Sequence, residues 1–107
     1  MNDQVNEQTT AYLSITFRDK AGAVQAPVSV SYRIDDVGSG HSIREETEVA
    51  PNGTVEIVLT PSDNSMVNVL LPREQRRVTV VARYGNDDGI RSHFVYLINN
   101  LPGVPNV

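Results

Sequence analysis

His41 and His93 are the sole histidines in this 107-residue chain, and they are the natural starting point in a search for acid–base chemistry. Nucleophilic catalysis would need one of them beside a Ser or Cys and an orienting third group. There is no cysteine, no glycine-framed nucleophile elbow, and each histidine sits in or beside a stretch of ordinary strand pattern. Zinc would need clustered His and Cys, which the sequence lacks. Asp35 and Asp36, and again Asp87 and Asp88, are oxygen-rich pairs next to glycines, the raw material of a Ca²⁺ loop. Such a site takes six or more oxygens, so plain turns are the expectation at both places. No glycine-rich phosphate loop joins a strand to a helix, and basic residues are not interleaved with aromatics. The expectation is a non-enzymatic protein that carries no cofactor and no metal.

The remaining chemistry is arginine chemistry. Eight of the nine basic residues are Arg, a composition suited to bidentate carboxylate binding and also the product of a GC-rich genome. Arg73, Arg76 and Arg77 form a cluster that is read as a solvated charge group, with an acidic neighbour as the alternative. Arg77, Arg83 and Arg91 belong to the strongest hairpin in the chain, Arg76 to Asn99. Val78, Val80, Ala82 and Tyr84 alternate with Arg77, Thr79, Val81 and Arg83 in its first arm. Ile90, Ser92, Phe94, Tyr96 and Ile98 alternate with Arg91, His93, Val95 and Leu97 in the second. With Tyr84 set opposite Ile90 across the Gly85–Gly89 loop, Val80 meets Phe94, Val78 meets Tyr96, and Arg83 lies against Arg91 at a small electrostatic cost. Val81, Val95 and Leu97 then fall on the outer face amid Arg77, Arg83 and Arg91. An apolar centre ringed by arginines is common at interfaces, so these six residues are the candidate partner-binding surface.

The elements that position this face are strands throughout. Residues 1–8 are polar and aperiodic and read as a flexible tail; residues 9–99 form the domain; residues 100–107, with two prolines and a glycine, read as a second tail. Leu13, Ile15 and Phe17 mark one strand, and Pro27 opens another with Val28, Val30, Tyr32 and Ile34 inward. His41–Ala50 carries Glu45, Glu46 and Glu48 and is placed at a sheet edge, where charge blocks pairing with other chains. Val55, Ile57 and Leu59 mark the next strand after the Pro51–Gly53 turn. Pro61–Gln75 reads as a connection with at most one helical turn, capped by Ser62 or Asp63 over Met66, Val69 and Leu70, the alternative being a short strand over 66–71. Seven short strands with turns about ten residues apart indicate an all-β antiparallel two-sheet sandwich, immunoglobulin- or fibronectin III-like in arrangement. The core is expected to hold Leu13, Ile15, Phe17, Val28, Val30, Tyr32, Ile34, Val55, Ile57, Leu59, Val78, Val80, Phe94 and Tyr96.

A formal charge of −4 disfavours nucleic acid as a partner, since that needs a basic face. No apolar run approaches membrane-spanning length, and the first ten residues show no signal peptide, so no membrane association is expected. The Asn52-Gly53-Thr54 sequon is accordingly read as chance.

Three runs carry a resemblance: YRIDD followed by GSG at Tyr32–Gly40, PNGTVEIVLTP at Pro51–Pro61, and RRVTVVARYGNDDG at Arg76–Gly89. Together they resemble small immunoglobulin-like proteins encoded among the virion genes of tailed bacteriophages, over residues 10–103. The resemblance implies a structural virion component, a capsid decoration protein or a head–tail connector of the neck or tail. It implies other virion subunits as partners in protein–protein interaction, several copies per assembly, synthesis in the host cytoplasm, and no catalytic residues. A carbohydrate- or receptor-binding adhesin-type module is the alternative. That would need exposed aromatics, and Tyr12 is the one outward candidate.

Overall fold

In the computed structural model, residues 4–68, 70–85 and 89–100 are described. They form seven strands: β1 (Gln4–Asn6), β2 (Ala11–Thr16), β3 (Ser29–Asp36), β4 (Ser42–Val49), β5 (Thr54–Leu59), β6 (Arg73–Arg83) and β7 (Gly89–Asn99). A five-stranded sheet in the order β1-β7-β6-β3-β4 faces a two-stranded sheet of β2 and β5. Strict alternation builds both. In β5, Val55, Ile57 and Leu59 are buried while Thr54, Glu56 and Val58 are exposed. β2 answers in register, Leu13 opposite Ile57 and Ala11 opposite Leu59. From the larger sheet Val30, Tyr32, Ile34, Val78, Val80, Ala82, Tyr96 and Ile98 close over them into a single apolar cluster with Phe17. Seven strands on two layers is the all-β sandwich expected from the alternation.

The sheet is mixed, and not purely antiparallel, because β1 runs parallel to β7 with Val5 level with Ile98. Residues 4–6 therefore leave the expected N-terminal tail and become a strand. One apolar residue among polar ones shows no period. Their order comes from backbone pairing, continued by Glu7 N–H donating to Asn99 O at 2.9 Å. Residues 1–3 and the expected C-terminal tail from 101 onward lie outside the described residues, as do Asp87, Asp88 and Val69.

The hairpin register differs by two residues from the counted one. Arg83 pairs with Gly89, Ala82 with Ile90, Val80 with Ser92 and Val78 with Phe94. A slip of two preserves the side-chain faces, so the pattern alone permits either register. Gly89 favours the observed one, since a Cβ there would lie 3.1 Å from Ala82 O. Arg83 is thereby removed from Arg91, which lies opposite Val81, and the expected like-charge pair does not form.

Two strands cannot roof five, and the core reflects it. At about 4.8 Å per strand the small sheet covers the middle of the large one. Phe94 and Ile15 are half-buried at its margin, Ile90 is exposed, and Ala11, Ala82 and Ile98 fill core places. Val28, expected inward, is 69% exposed, because β3 begins at Ser29 and it is Pro27 that is buried at its start. β4 is an edge strand, as its glutamates suggested. The 61–75 connection contains one i→i+4 turn, Asn64 N–H to Thr60 O at 3.1 Å, and β6 starts at Arg73, earlier than the pattern indicated.

Ile57→Ala is expected to cost about 2–5 kcal/mol in urea titration, while Val28→Ala changes stability by less than about 0.5 kcal/mol.

Candidate functional site

Arg76 shares the parity of Val78 and Val80, which turns it to the inner face, where it is fully buried. It is neither solvated nor free for a partner. Nη1 donates to Asp36 Oδ1 at 2.5 Å and Nη2 to the Ser65 carbonyl at 2.8 Å, with Glu74 Oε1 2.9 Å away. The second carboxylate is balanced by backbone donors, Val67 N–H and Asn68 N–H reaching Glu74 at 2.9 and 2.6 Å. Asp36 also accepts from Ser39 N–H and Ser39 Oγ–H, closing the turn that ends at Gly40, whose φ of +74° a side chain would strain. One buried cation thus joins the β3–β4 turn, the 65–68 segment and the start of β6.

A second polar group lies beside it. Arg44 clamps Asp63 with two bonds of 3.0 Å, and this hydrogen-bonded carboxylate holds the guanidinium's pKa above its ordinary value. Asn64, also fully buried, donates to the Thr9 carbonyl at 2.7 Å and accepts from Tyr96 Oη–H at 2.8 Å. Burial pushes the Tyr96 phenol well above its usual range. These groups hold loops to strands, and Asp36 and Glu74 also line an open hollow of about 420 Å³ with Val37, Val67 and Leu71. Sequence reasoning left them out, although one signal existed: Glu74 and Arg76 extend the inward series of β6, where charge stays only if it is paired.

The six residues chosen for the partner surface all lie on the outer face of the five-stranded sheet. Val95 is 45% exposed, Val81 and Leu97 are half-buried, and Arg83 and Arg91 are exposed. Val81, Arg77 and Arg91 line an open groove of about 490 Å³ with Ser31, Thr79 and His93. Its acidic side comes from β3 and β4. Asp35 is held by Arg33, at 2.9 and 3.1 Å, and that bond raises the Arg33 pKa; Glu46 accepts from Ser31 Oγ at 2.7 Å. Arg77, Arg83 and Arg91 make no ion pair with any described residue, and Arg77 Nε is buried without a partner.

The face offers guanidinium donors around an apolar strip, which suits a carboxylate-bearing surface. Neither imidazole hydrogen-bonds a described residue, and the described residues contain no group of three His, Cys, Asp or Glu placed to hold a metal. Asp35 and Asp36, read as turn residues, are engaged by Arg33, Ser39 and Arg76. Comparison with protein-family models, with curated proteins and with solved structures found no match.

Arg76→Ala strands two buried carboxylates and is expected to cost about 3–5 kcal/mol in denaturant titration. Tyr96 keeps its proton in the folded state after the unfolded phenol, with its ordinary pKa near 10, has lost it. Stability from this group is therefore complete below about pH 10 and declines as pH rises above it. Thermal melts between pH 9 and 11.5 should show the decline, and Tyr96→Phe should flatten it.

Proposed function

We propose that this protein is a non-enzymatic structural module of a tailed-phage virion, a capsid decoration or head–tail neck component that binds neighbouring virion subunits through the outer face of its five-stranded sheet. The observation that carries the interaction is the set Arg77, Arg83 and Arg91, unpaired among the described residues around Val81, Val95 and Leu97. A free antiparallel face normally turns polar residues to water, so half-exposed valines beside uncompensated guanidiniums fit a surface meant to be covered. The virion setting rests on the likeness of the Tyr32–Gly40, Pro51–Pro61 and Arg76–Gly89 runs to phage virion proteins.

The finer fold assignment belongs to the same reading. Taken in chain order, β2 and β5 act as the B and E strands of an immunoglobulin-like domain. β3, β4, β6 and β7 act as C, C′, F and G, with β1 added beside G. The Cys and Trp of antibody domains are absent, and the Arg76 cluster takes the place of a disulfide as the inner tie. A sugar-binding module would present a platform of aromatics. Tyr12, 55% exposed on β2, is the single exposed large aromatic among the described residues, which favours the protein-binding reading.

Replacing Val95 by Thr and Leu97 by Gln should abolish incorporation into purified particles while circular dichroism and the melting temperature of the isolated chain stay near those of the parent. Undiminished incorporation of the folded variant would dismiss this face.

A further inference from the structure

We infer that the outer face docks a second copy of this chain, related by a two-fold axis that runs parallel to the strands between β3 and β6. This rests on the outer face being a docking surface, and it names the first partner. The argument comes from how charge is distributed along the cross-sheet rows. In one row the register aligns Glu48 of β4, Ser31 of β3, Val81 of β6 and Arg91 of β7. In another it aligns Asp35, Arg77 and Val95. The two rows are four residues, about 13 Å, apart. In both, the acid lies on the β4–β3 side and the arginine on the β6–β7 side. The face is therefore weighted along its length: the β4–β3 half has Glu46, Glu48 and Asp35 with one arginine, Arg33, which holds Asp35, and the β6–β7 half has Arg77, Arg83 and Arg91.

A two-fold axis along the dividing line exchanges the halves and leaves each row at its own level. β4 of one copy then lies over β7 of the other, and β3 over β6. Glu48 faces Arg91 and Asp35 faces Arg77, each contact made twice, as an isologous interface requires. No other single operation is needed to satisfy both rows. Along the axis Ser31 of β3 lies against Val81 of β6, a small pair between the Ser29–Arg83 and Arg33–Thr79 pairs, so the closest approach of the two sheets falls at the Ser31 row. The unpartnered Nε of Arg77 lies in the same groove and gains an acceptor.

The test is a charge exchange in trans. Sedimentation equilibrium of the parent should show a monomer–dimer equilibrium that weakens with added salt. Arg91→Glu alone, which sets one carboxylate against that of Glu48 across the interface, should raise the dimer dissociation constant at least about tenfold, and Glu48→Arg alone should do the same. An equimolar mixture of the two variants should recover association, because each heterodimer contact is again one acid against one base. Thermal melts confirm that both variants are folded. A chain that stays monomeric up to about 1 mM, a dimer indifferent to both reversals, or a mixture no tighter than its components would overturn the inference. If the chain is monomeric while the Val95 and Leu97 substitutions still block incorporation, the second copy is excluded and the virion interface stands. If it dimerises as described while those substitutions leave incorporation intact, the dimer stands and the virion interface falls.

Discussion

The burial of Arg76 is the constraint on which the arrangement of this domain rests. Removing a guanidinium from water is costly, and a buried ion pair seldom adds net stability over an apolar core of the same volume. Its effect is to specify. The charge is tolerated only while Asp36, Glu74 and the Ser65 carbonyl stand around it, and those groups come from three separate segments. The β3–β4 turn, the residues after β5 and the start of β6 are consequently fixed at once. In a domain without disulfides, this polar knot and the Asn64–Tyr96 bond hold the irregular end of the sandwich, where the apolar cluster stops.

The unequal sheets are the second constraint, and they bear on function. A two-stranded layer buries the inner side of β3 and β6 well and the margins poorly, so stability is concentrated in the centre of the larger sheet. The outer side of that sheet is left broad and uncovered by any described residue. Along its middle, serines, threonine and valine share the face with Arg33, with carboxylates mostly to one side and three further arginines to the other. Such a face is suited to specificity more than to raw affinity, since charge complementarity chiefly sets partner and register.

The β4 edge carries exposed Glu45, Glu46 and Glu48, which discourage indiscriminate strand addition, and the opposite edge is occupied by β1.

The alternation of Val55, Ile57 and Leu59, of Val30, Tyr32 and Ile34, and of Val78 and Val80 determined by itself that the chain is an all-β sandwich, which residues form its centre, and which six residues share the outer face of the hairpin. Period-2 pattern carries that information because one face of each strand must leave water. Pattern is blind to a shift of two, so the register, and with it the fate of Arg83 and Arg91, came from tertiary structure, in which Gly89 leaves room for the Ala82 carbonyl. It is also blind to three residues that pair mainly through backbone, as β1 does. The burial of Arg76 was decided by tertiary structure for a different reason. Whether an arginine is solvated or buried depends on carboxylates that lie 40 residues away along the chain in one case and two in the other, and only folding brings both to the same guanidinium.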